Sequence, residues 1–267
     1  MSMLFGNVAV VALALLVLVL LLSGLLSILV HGMQRDAADI CQYVFAAEPV
    51  IEATTPAEFP RVKAAEYDSD QKLLEDRGYR FACDGEIVNF RGISADPRAF
   101  MRYMLSRDGT VRVSFVYSHH RLFYRIRERV FGKMRGRVAV EVNVEARDGR
   151  HFTVMSSFTP ITLRTPPEII TEALKPGLGV LWTLYEFEER YAAFREANPN
   201  FEPLSLSGAE DVLSSDMRHS RLINAYRVRI GFLTVDEVVA GGMKNRDEAE
   251  KVVKGMQKEL WRRGVMK

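Results

Sequence analysis

An unbroken apolar stretch near the start of the chain limits the possible folds more than any other feature. It runs from Val8 to Val30, and the first charged side chain is Arg35. Its only residues that are not hydrophobic are Ser23, Gly24 and Ser27. A helix of this length would span about 34 Å, enough to cross a hydrocarbon core of about 30 Å. A lipid core offers no water to backbone groups, so a helix is required there. We therefore predict a transmembrane anchor over residues 1–32.

Two other interpretations of the apolar stretch are open: a cleaved signal peptide and a buried core helix. No Lys or Arg precedes the stretch, and it exceeds the usual signal-peptide core of about 7–15 residues. A core helix would need protein on every side. The small residues at 23, 24 and 27 would let a second helix approach. The predicted partners are therefore membrane lipid and, through the anchor, another protein or a second copy of the chain.

The flanks of the anchor bear on its orientation. Arg35 follows the apolar stretch, and the positive-inside rule then favours a large domain on the cytoplasmic side of the cell inner membrane. Cys41 and Cys83 are the only two cysteines. An extracytoplasmic domain could pair them, whereas a cytoplasmic one would bury both as small apolar side chains. We expect the second arrangement, because a domain of this size builds a core without disulfides.

The sequence predicts three regions after the anchor. They are a juxtamembrane segment over 33–66, an α+β domain over 67–200 and a helical C-terminal region over 201–267. Asp108-Gly109 and Asp148-Gly149 lie between alternating segments and predict two β-hairpins. Valine occupies every second position from 138 to 144, mostly with Glu or Asn between. This alternation predicts a strand with one buried and one solvent-exposed face, hence an antiparallel sheet.

Helix signals fill most of the remaining chain. Thr165-Pro166-Pro167-Glu168 combines a capping residue, an early proline and an acid, so a helix is predicted to begin there. Further helices are predicted over 178–197 and from Ser207 to about Ile230. Two shorter ones from Thr234 onward form a helical hairpin that packs on the domain. Strands followed by helices are typical of an α+β fold.

A basic segment between the two hairpins is the candidate binding site. Residues 119–137 contain one acid, Glu128, and the candidate lipid-binding residues are Arg121, Arg125, Arg127, Arg129, Lys133, Arg135 and Arg137. Each basic residue near an anionic bilayer contributes about 1 kcal/mol, which favours binding to lipid headgroups. The alternative is an amphipathic helix packed on the sheet, with its arginines solvated or paired with acids such as Glu186. Nucleic acid is disfavoured by the net charge of only +2 and by the tether.

No metal, cofactor or catalytic signature is recognisable in the sequence. No two of the five histidines have the i,i+4 spacing of a helix-borne zinc site, and neither cysteine has another nearby. Walker loops, Rossmann fingerprints and nucleophile elbows are absent. An enzyme is therefore the alternative interpretation, with a pocket between the sheet and the helix over 178–197.

The layout resembles a group of bacterial single-pass membrane proteins with no assigned activity. The resemblance rests on the anchor, the step from Leu73-Leu74 to Gly78-Tyr79, the two Asp-Gly hairpins and Thr165 leading into helices. It implies this architecture and no catalytic residue. The expected function is a membrane-anchored interaction or scaffold module at the bilayer surface, and a membrane-tethered enzyme is the alternative.

Overall fold

The computed structural model describes most of the chain after the apolar stretch. The described residues are 38–39, 41–59, 62, 64–92, 98–119, 137–157, 163–175 and 177–266. The predicted anchor and residues 120–136 lie outside them, so the anchor remains a prediction. Among the described helices, none has both the length and the apolar character needed to cross a bilayer.

A seven-stranded sheet organises the described chain, with its strands in sequence order. The strands are β1 (Ile51–Ala53), β2 (Arg80–Ile87), β3 (Arg98–Leu105), β4 (Arg112–His119), β5 (Arg137–Glu145), β6 (His151–Ser157) and β7 (Ile169–Ala173). Neighbours from β1 to β6 are antiparallel, whereas β7 lies parallel to β6. The predicted α+β class is confirmed, but the sheet is mixed rather than wholly antiparallel.

The parallel strand β7 lies where the sequence predicted a helix. The Thr165 hydroxyl donates to the carbonyl oxygen of Ile169 at 3.0 Å, and the Ile169 amide donates to Pro166 at 2.9 Å. These bonds form a turn rather than a helix cap. The β-branched residues Ile169, Ile170 and Thr171 then pair with β6 from His151 onward. Pairing with the free edge of β6 thus overrides the local helix signal, because propensity is a weak preference beside tertiary contacts.

Both predicted Asp-Gly hairpins are confirmed. Gly109 has φ +75° and Gly149 has φ +84°, the left-handed region in which glycine carries no Cβ penalty. In each turn the aspartate carboxylate accepts a hydrogen bond from the backbone amide two residues later, at 3.1 Å for both Asp108 and Asp148. These local bonds explain why a two-residue signal was sufficient to locate both turns.

Substituting alanine at these two glycines is expected to have unequal costs. A Cβ at Gly109 would lie 2.3 Å from the carbonyl oxygen of Leu206, whereas no atom of another described residue lies within 4 Å of a Cβ at Gly149. We expect Gly149→Ala to lower the free energy of unfolding by about 1 kcal/mol through backbone strain. Gly109→Ala should cost about 2–3 kcal/mol, because the segment around Leu206 must also move. Urea denaturation of the full chain in mild detergent measures both, and equal losses would contradict the close approach at Gly109.

The first face of the sheet carries the main hydrophobic core. Helices α1 (Ala64–Glu75) and α2 (Val180–Ala197) contribute Leu74, Leu184 and Phe187 to it, and α2 confirms the helix predicted over 178–197. Phe152 of β6 stacks on Phe194 of α2 with ring centroids 4.6 Å apart. The described residues between the sheet and α2 thus form packed apolar core.

The second face of the sheet is covered by helix α3 (Ala209–Arg229), which corrects the predicted solvent-exposed side of β5. Asn143 is 1% exposed, Glu145 is 4% exposed, and the Glu141 side chain is 16% exposed. The strand lies inside the sheet with helices over both faces. The buried valines of β5 therefore face the main hydrophobic core, and the polar residues between them face a buried polar layer beneath α3 rather than solvent.

The C-terminal region is helical, as predicted. After α3 come α4 (Val235–Ala240) and α5 (Arg246–Arg262). Thr234 caps α4 in a capping box with Glu237, and Glu237 also pairs with Arg227 of α3 at 2.7 Å. Asn224 of α3 donates to the carbonyl oxygens of Val44 and Ala47. Helix α3 therefore links the sheet, the C-terminal helices and the chain that precedes β1.

Candidate functional site: a buried charged cluster beneath helix α3

Polar side chains from four strands and α3 meet on the second face of the sheet. We call this set the α3 cluster. Its members are Tyr103, Arg112, Glu141, Asn143, Glu145, His151, Thr153, Ser215, Asp216, Arg218 and His219. The strand registers pair Arg112 with Asn143 and Glu145 with His151, so these side chains lie on one face. Ser215 and His219 lie about one turn apart on α3, Asp216 is next to Ser215, and all three reach the cluster.

Arg112 lies at the centre of the cluster and is 1% exposed. Its Nη2 atom is 3.2 Å from Glu141 Oε1 and 3.0 Å from Asp216 Oδ1. Its Nη1 atom donates to the hydroxyl of Ser215 at 3.2 Å. The guanidinium therefore joins two strands to the helix. Its Nε atom is buried and has no hydrogen-bond partner among the described residues.

The carboxylates outnumber the guanidinium groups in this cluster. Glu141, Glu145 and Asp216 face Arg112 and Arg218, which leaves one negative charge when the histidines are neutral. Burial raises the pKa of Glu141, and the attraction of Arg112 offsets only part of that rise. Burial would also raise the pKa of Glu145, but hydrogen bonds from Arg218 and Ser215 outweigh it and hold that pKa below its usual value. Glu141 is therefore protonated before Glu145 on acidification.

Two buried histidines stack on each other inside the cluster. The rings of His151 and His219 have centroids 4.8 Å apart and an interplanar angle of 40°. Their Nε2 atoms are buried and have no hydrogen-bond partner in the part of the chain that the structure describes. Burial lowers the pKa of His151 to about 3 and that of His219 to about 4, with His219 and Arg112 respectively as the next causes. Both imidazoles are therefore neutral at neutral pH.

One edge of the cluster opens into a polar cleft of about 540 Å³. Arg218 binds Glu145 through two hydrogen bonds of 2.7 and 2.9 Å, and both residues line the cleft. Arg147, Asp148 and Asp211 contribute further charges to its wall. The cleft mixes acids and bases, so it has no single-sign potential that would select one class of charged ligand.

The cluster has the composition of a metal site but not its geometry. Among the described residues, Glu141, Asp216 and His219 bring one potential ligand atom each within 4.8 Å of one another. Both oxygens of Asp216 already have partners, because Oδ1 pairs with Arg112 and Oδ2 accepts from the Tyr103 hydroxyl at 2.5 Å. The Arg112 guanidinium lies between the two carboxylates, where a cation would bind. We therefore interpret the set as an ion-pair network, and the sequence prediction of no metal stays a prediction.

The predicted lipid-binding residues lie almost entirely outside the described part of the chain. Arg121, Arg125, Arg127, Arg129, Lys133 and Arg135 fall within 120–136, and Arg137 is the first residue of β5. The strands that flank this segment are described. The C-terminal end of β4 and the N-terminal end of β5 lie at the end of the sheet where β1 begins, because strand pairs align Ile51 with Ile87, Arg98 with His119 and Tyr117 with Arg137. We call this the β1 end, and the opposite end, with both Asp-Gly turns, the hairpin end.

Sequence reasoning missed the α3 cluster, since it treated Glu141, Asn143 and Glu145 as solvent-facing. A signal was present in α3, where Val212, Ser215 and His219 follow helical spacing and share one face. Only Val212 in that row is apolar, so the row did not stand out as a buried face.

Comparisons with protein-family models, curated proteins and solved structures gave no match for this chain. The interpretation of the cluster therefore depends on its geometry.

Proposed function

We propose that this protein is a single-pass, membrane-anchored interaction module whose β1 end faces an anionic bilayer. The strand topology is the observation that carries this proposal. The segment 120–136 connects β4 to β5 at the end of the sheet where the chain enters β1. Six of the seven predicted lipid-binding residues lie in that segment, and the seventh, Arg137, begins β5. An anchor formed by the apolar stretch and a basic surface would thus lie on the same side of the domain.

Contacts of the chain before β1 support this orientation. Arg221 of α3 pairs with Glu48, and Asn224 holds the backbone at Val44 and Ala47. Further upstream, Asp39 pairs with Arg263 at 2.6 Å. Residue 38 follows the apolar stretch by eight residues, which span at most about 28 Å. A bilayer that holds the apolar stretch would therefore lie within reach of the β1 end.

The cysteines favour a cytoplasmic domain, which we include in the proposal. Cys41 and Cys83 are both buried and unpaired. Cys41 lies against the Met256 sulfur at 3.7 Å, and Cys83 belongs to the apolar cluster between β2 and α3. Two free, buried thiols are typical of a reducing compartment, where cysteine is used as a small apolar residue.

Hydrogen exchange of the full chain in lipid nanodiscs tests the proposed bilayer contact. We expect backbone amides of 120–136 to exchange more slowly in discs with 30% anionic lipid than in zwitterionic discs. The charge-neutralising pair Arg125→Gln with Arg129→Gln should remove about 2 kcal/mol of attraction, or about 30-fold in the docked-to-undocked ratio. High salt should weaken the protection in the same way, because exposed charges are screened.

The matched control removes two exposed charges at the hairpin end, through Arg107→Gln with Arg147→Gln. This pair should leave the protection of 120–136 unchanged. Equal protection of the segment in both lipid compositions would instead favour an amphipathic helix packed on the sheet. Fast exchange in both would contradict bilayer contact altogether.

A further inference from the structure

Helix α3 is held against the sheet by the polar α3 cluster and by a smaller apolar cluster, to which it contributes Val212, Leu213 and Met217. Its five buried residues are Val212, Ser215, His219, Asn224 and Arg227, and Val212 is the only apolar one. The main hydrophobic core lies on the opposite face of the sheet and contains no residue of α3. Separation of the helix from the sheet would uncover the smaller apolar cluster but not that main core. It would thus be a local opening of the kind that proteins undergo below their global unfolding energy.

The stacked histidines are the part of this contact most sensitive to protons. His151 comes from β6 and His219 from α3, so their ring contact crosses the interface. Within the described ranges, neither Nε2 atom has a partner that could accept a hydrogen bond from an imidazolium. Two imidazolium rings 4.8 Å apart would repel each other in a buried setting.

The surrounding charges do not remove this sensitivity. The groups that face the histidines are Tyr103 of β3, Arg112 of β4, Glu141 and Glu145 of β5, and Asp216 and Arg218 of α3. With neutral histidines the set carries one net negative charge, and two protons turn this into one net positive charge. Protonation of Glu141, whose pKa burial raises, adds another positive increment. Arg112 then opposes both imidazoliums, and Arg218 opposes that of His151.

We propose that the α3 cluster is an acid-sensitive latch, in which protonation of His151 and His219 releases α3 from the second face of the sheet. The free energy that drives release comes from proton binding. Each histidine has a lower pKa in the closed cluster than in the opened, solvated state, so protons bind the opened state more tightly. Because the pKa of each histidine is lowered in the closed state, the opened state binds more protons below about pH 6.5. The closed state is thus fully stable above that pH and loses stability as the pH falls.

Release of α3 would also weaken the contacts that hold the segment next to the predicted anchor. The same helix holds Val44, Ala47 and Glu48 through Asn224 and Arg221. Its Arg227 also pairs with Glu237 of α4. Opening of the latch would therefore loosen the segment before β1 while the sheet with α1 and α2 stays folded. This inference concerns α3 and the sheet, and it does not depend on the proposed lipid contact.

Hydrogen exchange of the full chain at pH 7.5 and 4.5, corrected for intrinsic rates, tests the latch. At pH 4.5 one histidine protonated only in the opened state shifts the equilibrium by about 100-fold. We expect amides of α3 to lose at least that factor of protection, while amides of β3 to β5 keep theirs. Simultaneous loss in α3 and the sheet would overturn the proposal in favour of global acid unfolding. Unchanged protection of α3 at pH 4.5 would overturn it as well.

Substitutions assign the effect to the two histidines. The double variant His151→Gln with His219→Gln should make the protection of α3 nearly independent of pH over this range. His119→Gln is the matched control, because His119 lies seven residues along β4 from Arg112, about 23 Å away. The control should open like the unmodified chain.

A double variant that still opens at pH 4.5 would show that other groups drive release. If the double variant does not fold at pH 7.5, each single substitution should halve the logarithm of the protection change, and no reduction in either would refute the latch.

Discussion

Replacing Arg112 by methionine is expected to lower the free energy of unfolding by about 3–5 kcal/mol. Methionine keeps much of the side-chain length but removes the positive charge between Glu141 and Asp216. Both carboxylates would then remain beneath α3 without the guanidinium that pairs with them at 3.2 and 3.0 Å. Removing one partner of a buried ion pair costs this much because the other charge stays desolvated. Urea denaturation of the full chain in mild detergent, followed by fluorescence, measures the change.

Two comparison variants separate the charge effect from a general loss of packing. Arg107→Met removes an exposed arginine of the neighbouring hairpin and should change stability by less than about 0.5 kcal/mol. Combining Arg112→Met with Glu141→Gln and Asp216→Asn should recover much of the loss, because no uncompensated charge is left. If Arg112→Met has no larger effect than Arg107→Met, the cluster is not the ion-pair network described above.

Replacing Glu237 by alanine is expected to cost a similar 3–5 kcal/mol, for a different set of contacts. Glu237 is 3% exposed and accepts two hydrogen bonds of 2.7 Å from the Arg227 guanidinium. It also accepts from the backbone amides of Thr234 and Arg164. The substitution would leave the buried Arg227 unpaired and remove half of the capping box of α4. The same denaturation experiment should show this loss.

The adjacent residue Asp236 provides a matched control for Glu237. Its carboxylate pairs with Arg164 and Arg246 but is 53% exposed. Asp236→Ala should therefore cost no more than about 1 kcal/mol, as is usual for surface ion pairs. The double variant Arg227→Met with Glu237→Leu should be more stable than Glu237→Ala alone, since it leaves no buried charge. Comparable losses for Asp236→Ala and Glu237→Ala would contradict the buried pair.

Local signals in the sequence were sufficient for much of the fold. Gly109 and Gly149 need positive φ whatever surrounds them, so both hairpins could be predicted from the Asp-Gly pairs. Helix α2 ends where the Asn198 side chain donates to the carbonyl oxygen of Phe194, and the C-terminal helices begin at the capping residues Thr234 and Asn245. These features depend on contacts within a few residues, which a sequence displays directly.

The features that sequence reasoning missed depend on contacts between distant segments. Strand β7 forms because β6 offers it a free edge, which no residue near Thr165 reveals. The polar side of β5 is buried because α3, about seventy residues later, supplies Asp216, Arg218 and His219. A polar–apolar–polar sequence such as Glu141-Val142-Asn143 occurs both where the polar face of a strand is solvated and where it is buried. Only the position of the covering helix distinguishes the two.

The distance of each end of the sheet from the bilayer tests the central claim most directly. Val50→Cys labels the β1 end and Arg107→Cys the hairpin end, at positions exposed to solvent, in the full chain held in anionic nanodiscs. Cys41 and Cys83 should not compete for a maleimide dye at neutral pH, because burial raises the pKa of both thiols to about 12. Energy transfer to acceptors on the lipid headgroups should place the dye at position 50 closer to the bilayer than the dye at 107, by up to about 25 Å. Equal distances, a reversed order, or a chain that does not stay with the discs would contradict the account.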